Sequence, residues 1–231
     1  MPRTARIVLP HTPHHIVQRG HNRSAVFVQT KDYLYYLDSL IEYSTKFDIK
    51  VHSFCLMTNH VHLLIEPRDD PSTVSKLMKR LAGRQCRFVN SLEGRSGSIW
   101  EGRFKCSPIE IDPYFLQCCR YIELNPVKAG IVTKPEAYRW SSYGRRVALT
   151  LPAWMGTDAV LPMLASDGKR AAQRYKDFVA AGCPDQVFIQ ETTNRNQLLG
   201  SPRFVNEVER RTGRRIENRA RGRPRKNKSV P

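Results

Sequence analysis

The sequence predicts an α+β fold, a ferredoxin-like or RRM-like antiparallel sheet with helices on one face, followed by a C-terminal helical and basic extension. Three observations lead there. Short apolar runs alternate with amphipathic helical segments in the order β-α-β-β-α-β-α. Two of those runs are separated by only two residues, Thr58-Asn59, as in a tight hairpin. The pattern then weakens after Tyr143.

Taken in order, residues 14–19 form a short strand, because Ile16-Val17 runs into the turn cluster Gly20-His21-Asn22. Between Lys31 and Phe47, Tyr33, Leu34, Leu37, Leu40, Ile41 and Tyr43 recur at three- and four-residue intervals and predict one buried helical stripe. Residues 51–57 and 60–66 are the two arms of the hairpin. Pro71 to Ser91 is a basic helix, with Val74, Leu77, Met78 and Leu81 inward and Lys76, Lys79, Arg80, Arg84 and Arg87 largely outward. Residues 93–102 form a Gly/Ser-rich loop, and residues 104–111 are the fourth strand. Asp112 and Pro113 open a helix as N-cap and first residue, and Pro126 is expected to end it near Asn125. These boundaries give one domain over 1–145, a helical extension over 146–212 and a basic tail over 213–231 with nothing to bury.

Composition narrows the function classes. Hydrophobic residues are 40% of the 231, enough for a real core. The net charge of +17 exceeds what solubility needs and points to a polyanionic partner, nucleic acid before a membrane surface. Both parts of the chain are basic, and residues 201–231 alone hold 11 Lys/Arg against 3 Asp/Glu. The six cysteines form no CxxC pair and no disulfide-scaffold spacing, which suits a reducing compartment and argues against a zinc ribbon. With no signal-peptide core and no membrane-spanning apolar run, the expected location is the cytoplasm.

His60 and His62 alternate with Val61 on the third strand, so both imidazoles face the same way, a geometry suited to one divalent cation. Such a pair also occurs as surface or packing histidines. On the helix that follows the fourth strand, Phe115, Cys119 and Ile122 make an apolar stripe and Gln117, Tyr121 and Asn125 a neighbouring polar one. A core-edge tyrosine and a helix-ending asparagine would give the same spacing.

Five separated segments then carry a resemblance: IVQRGHNR (16–23), MTNHVHLL (57–64), WEGRF (100–104), RYIELNPVKAGIV (120–132) and WSSY (140–143). In this order, over roughly residues 7–145, the chain resembles the single-tyrosine HUH transposases, and within them the REP-associated tyrosine transposases. The resemblance implies that His60 and His62 ligate a divalent metal, that Tyr121 attacks DNA to leave a covalent 5′-phosphotyrosine, and that Asn125 completes the metal site. It further implies cleavage and rejoining of single-stranded DNA at hairpin-forming repeats. A tyrosine hydroxyl with a reference pKa near about 10 is a weak nucleophile, and a phosphodiester repels attack, so a Lewis-acidic cation at the scissile phosphate suits the chemistry.

An imidazole and amide site takes Mg²⁺ or Mn²⁺, the latter tolerating nitrogen better. If Thr58-Asn59 makes a two-residue turn, Cys55 falls opposite His62, and a thiolate there would favour Zn²⁺. Arg19, Arg23, Arg103 and Lys105 flank the strands and are candidates for DNA phosphate contacts, or simply solvated cations. In the tail, Arg221, Arg223 and Arg225 frame a Gly-Arg-Pro core that resembles an AT-hook and also fits a plain polybasic arm. The alternatives are a catalytically silent nucleic-acid-binding regulator on the same fold and, weakest, a zinc hydrolase using Glu66. Monomer and homodimer are both compatible with the composition.

Overall fold

The computed structural model describes residues 6–112, 114–155 and 158–216. Strand β1 (His14–Arg19) is followed by α1 (Thr30–Lys46), the hairpin of β2 (Ile49–Met57) and β3 (His60–Pro67), α2 (Ser72–Glu93), β4 (Lys105–Pro108) and α3 (Tyr114–Glu123). The sheet order is β2-β3-β1-β4, and all three pairings are antiparallel. That is the ferredoxin-like arrangement, and the expected fold class holds.

The helices, however, lie on both faces and not on one. Alternate residues of β3 explain why: Val61, Leu63 and Ile65 enter a core with Leu40 of α1 and Leu77 and Leu81 of α2. Leu64 enters a second core with Phe115, Cys119 and Ile122 of α3. Both faces are apolar, so both must be covered.

Within α1 the buried stripe is Tyr33, Tyr36, Leu37 and Leu40, whereas Leu34, expected inward, is exposed. In β2 an extra residue near His52 shifts the register between Val51 and Ser53, so Val51, Phe54 and Leu56 all join the α1/α2 core. Between the bulge and the turn the register is unbroken, so the two-residue Thr58-Asn59 connection sets Met57 opposite His60 and Cys55 opposite His62.

Pro126 does not end the helical path. After α3, a further turn α4 (Asn125–Lys128) starts, and Pro126 sits in its first turn, where a missing N–H costs nothing. The extension then folds back as α5 (Tyr143–Val147), α6 (Gly168–Ala180), α7 (Gln186–Asn194) and α8 (Pro202–Thr212). It is no separate lobe: Tyr175, Ile189 and Leu199 are buried in the α3 core. Both sheet edges are also covered, β2 by the Leu56 N–H bonded to the Trp140 carbonyl and β4 by Leu199 bridging Ile109.

One buried carboxylate ties these pieces together. Glu123, the last residue of α3, is fully buried and accepts hydrogen bonds from Ser53 of β2 at 3.0 Å, Ser142 at 2.6 Å and Tyr175 of α6 at 2.8 Å. The buried Arg146 of α5 lies 3.4 Å from it and pairs with Asp158 at 2.8 Å. Removing one partner of such a buried pair leaves an uncompensated charge and typically costs about 3–5 kcal/mol. Arg146→Met is therefore expected to lower stability by about that much, measured by urea unfolding, with the double variant Glu123→Gln, Arg146→Met losing less than the sum of the two single changes. Strict additivity would show that the two groups do not share a network.

Gly20 stands where β1 meets the β2-β3 turn, its N–H bonded to the Asn59 carbonyl at 2.7 Å. A Cβ there would sit 2.3 Å from the Ser24 carbonyl oxygen and 2.8 Å from Val26. Backbone cannot yield cheaply at that distance, so Gly20→Ala should destabilise by about 1–3 kcal/mol in the same assay. A neutral substitution would contradict this packing.

Candidate active site

The two histidines of β3 emerge on the sheet face that α3 covers. His60 and His62 rings lie 4.9 Å apart between centroids, and the Tyr121 ring sits edge-on to His62 at 5.7 Å. Asn125, one turn after Tyr121, lines the same cleft of about 250 Å³ with His60, His62, Tyr121, Arg19 and Lys128. The structure thus brings His60, His62, Tyr121 and Asn125 to one place.

Hydrogen bonds orient these groups. The Asn125 amide NH₂ donates to the carbonyls of Tyr121 at 2.7 Å and Ile122 at 3.3 Å, which leaves Oδ1 as the end available to a cation. His60 Nδ1 is 2.6 Å from the Asn59 side-chain oxygen, an atom that only accepts, so His60 carries its proton on Nδ1 and leaves Nε2 bare. Among the described residues no three His, Cys, Asp or Glu side chains gather as a cation site. A metal here would rest on two imidazoles, the Asn125 oxygen and oxygens of a substrate, a donor set that fits Mg²⁺ or Mn²⁺.

Cys55, the residue of the zinc alternative, does not line the cleft that holds His60 and His62. Burial, and then the Glu123 charge, push its thiol well above the ordinary range, and the sulfur sits 3.6 Å from the Met57 sulfur. Glu66 is equally remote from metal chemistry, since its carboxylate accepts a hydrogen bond from His52 at 2.8 Å.

Burial dominates the electrostatics. It holds His60 down to about 4, with Arg19 adding to the effect, and His62 well below the ordinary value, with His60, His15, Arg19 and Lys128 adding to it. Neutral imidazoles are the form a metal requires. Burial also raises Tyr121, helped by Cys118 and Cys183 and opposed by Arg19, so the phenol is protonated at rest. Lys128, its own pKa lowered chiefly by burial, stands 4.5 Å over the Tyr121 ring.

Of the basic candidates, Arg19 lines the cleft itself, and Arg19, Arg103 and Lys105 line an adjoining cavity of about 600 Å³ with Arg6. Arg23 lies apart, exposed in the turn after β1, where its carbonyl accepts from the Asn59 amide at 3.0 Å. Arg221, Arg223 and Arg225 fall outside the described residues. Several lining residues escaped sequence reasoning: Lys128 from α4, and Gln186, Gln190, Thr193 and Asn194 from α7. Lys128 lies inside the 120–132 segment and was findable there. The α7 residues carry no local signal, because only the return of the extension brings them in.

A ferredoxin-like sheet presenting a histidine pair beneath a tyrosine-bearing helix defines the class to which this geometry belongs. The family model described as IS200-like transposase matches residues 10–125, and the chain belongs to that family. It is 29% identical over 104 residues, 41% of this chain, to a Haemophilus influenzae protein named as a REP-associated tyrosine transposase, and it spans 59% of that relative's length. A solved REP-associated tyrosine transposase bound to a REP hairpin shares the fold at a TM-score of 0.53 with 20% identity, over 68% of this chain and 93% of that one. No helix among the described residues is long and apolar enough to cross a membrane.

The histidine shifts carry a pH consequence. Burial holds His14 and His60 to about 4 and His15 to about 3, against about 6.5 in an unfolded chain. The unfolded chain therefore binds protons that the folded one refuses as the pH drops. Stability should be full above about pH 6.5 and fall progressively toward pH 4. Urea midpoints that stay level between about pH 7 and pH 4.5 would contradict the neutral, buried state of these rings.

Proposed function

We propose that this chain is a transposase-type endonuclease and ligase that cleaves and rejoins single-stranded DNA at hairpin-forming repeats through a covalent 5′-phosphotyrosine on Tyr121. The observation that supports it most is the convergence of His60, His62, Tyr121 and Asn125 in one cleft with a basic wall. Family membership and the fold shared with a hairpin-bound transposase point the same way.

In this reading His60 Nε2, His62 Nε2 and Asn125 Oδ1 hold Mg²⁺ or Mn²⁺. Bound there, the cation supplies Lewis-acid polarisation of the scissile phosphate. The protein's own residues do the rest. Arg19, with Arg103 and Lys105 in the adjoining cavity, neutralises flanking phosphates and fixes the strand's path. α3 carries Tyr121 into the cleft beside the histidine pair, where its oxygen would face the phosphorus of a bound strand. The Tyr121 hydroxyl gives up its proton as its oxygen forms the new P–O bond, the P–O3′ bond breaks, and the departing 3′ oxygen takes up a proton, so one proton is lost and one gained. The bond energy stays in the phosphotyrosine, so a 3′-hydroxyl rejoins the strand by the reverse step without ATP. Because burial holds the phenol protonated, Lys128 above the ring favours the phenolate as it forms.

Incubation with hairpin oligonucleotides and Mn²⁺ should give cleavage and a denaturation-resistant protein-DNA adduct. Tyr121→Phe is expected to abolish both while keeping hairpin affinity within a few-fold, and His60→Ala, His62→Ala or a chelator should remove cleavage. Hairpin binding without any adduct from the parent would instead identify a silent regulator. A second measurement addresses the wall: replacing Arg19, Arg103 and Lys105 by Ala should weaken binding alike for all sequences and flatten its salt dependence by about one unit of slope for each phosphate no longer neutralised. An unchanged slope would remove these residues from the DNA path.

A further inference from the structure

His15 of β1 is invisible to any local motif, yet it sits diagonally across the β1-β3 pairing from His62 and is fully buried. Its Nε2 lies 2.9 Å from His62 Nδ1, and its Nδ1 lies 2.9 Å from the Thr193 hydroxyl of α7. Thr193 in turn donates to the Ile189 carbonyl at 2.8 Å. Protons along this chain can be counted. A carbonyl only accepts, so the single Thr193 proton goes to Ile189, and toward His15 the hydroxyl oxygen can only accept. His15 therefore donates from Nδ1. Its neighbours are a hydroxyl and another imidazole, with no counter-charge in hydrogen-bond reach, so this buried ring is neutral and its Nε2 carries a lone pair. That lone pair accepts from His62 Nδ1–H, and His62 is left with a bare Nε2 in the cleft.

We propose that the Ile189-Thr193-His15 relay is a positioning device that locks His62 in the Nδ1–H tautomer, with Nε2 turned toward the cleft as a cation ligand. Asn59 does the same for His60, so both imidazoles present the same nitrogen. The relay makes α7, in the extension, a working part of the site: an outer-shell partner of this kind fixes ring orientation and tautomer, and its loss commonly weakens metal affinity about 10–100-fold. The ligand role rests on the cation reading given under Proposed function. The tautomer itself does not.

The test is long-range ¹H–¹⁵N NMR of the histidine rings in the metal-free full chain, with Mn²⁺ affinity followed in parallel by the loss of free-ion paramagnetic signal. The parent should show His62 protonated on Nδ1, a result read without any variant. In Thr193→Val the relay loses its acceptor. His15 is then free to turn its proton toward His62, which should gain Nε2–H signal and bind Mn²⁺ at least tenfold more weakly. Thr193→Ser, which keeps the hydroxyl, should restore both readings. An Nε2–H His62 in the parent would overturn the proposal, as would an unchanged tautomer in a folded Thr193→Val. A tautomer that switches as described in a parent that does not bind Mn²⁺ would support the relay and overturn the cation reading.

Discussion

The placement of Tyr121 depends on what happens to the buried carboxylate of Glu123, two residues further along α3. A ten-residue helix packed on a sheet by a few apolar side chains can rotate or slide at small cost, because apolar packing is not directional. A buried carboxylate cannot. Its oxygens need donors, and here the donors come from β2, from Ser142 ahead of α5 and from α6, with Arg146 supplying the counter-charge. The arrangement satisfies the carboxylate at one rotation and one height of α3, so the polar stripe of that helix faces the histidine pair. The pair adds little net stability, since the cost of burying it offsets most of its own attraction. What it contributes is a fixed position for the helix.

That constraint explains why the extension belongs to the same unit as the sheet. The matched family region ends at Asn125, yet Tyr175 and Arg146 hold the helix that carries Tyr121, and α7 closes one side of the cleft. The sheet supplies rigid ligand positions on β3. The extension supplies the walls and the hydrogen-bond terminus behind His15. Together they make a small polar cleft on the α3 face of the sheet, next to a cavity lined by Arg6, Arg19, Arg103 and Lys105.

Much of this was legible in the residues. The alternation of His60, Val61 and His62 fixed which side chains share a face, and the Thr58-Asn59 turn fixed the pairing of Met57 with His60. The four-residue spacing of Tyr121 and Asn125 placed them on one stripe of α3 and the turn that follows. What escaped did so for physical reasons. The second apolar face of the sheet shows on β3 only at Leu64, because His60, His62 and Glu66 hold the other positions of that face. Pro126 is equally compatible with ending a helix and with sitting in the first turn of another. His15 and Thr193 lie 178 positions apart, and no periodicity connects them. Glu123 reads as an ordinary helix-end acid until Ser53, Ser142 and Tyr175 are seen around it.

The central claim is that one particular side chain, the Tyr121 that this framework positions, becomes covalently joined to DNA. Trypsin cutting after Arg120 and Lys128 would release residues 121–128 as one peptide, so mass spectrometry of a digested reaction with a hairpin oligonucleotide addresses it directly. The account predicts that this peptide carries a nucleotide bonded through its 5′ phosphate to the Tyr121 oxygen. Nucleotide found on any other tyrosine, or cleaved DNA with the 121–128 peptide wholly unmodified, would contradict it.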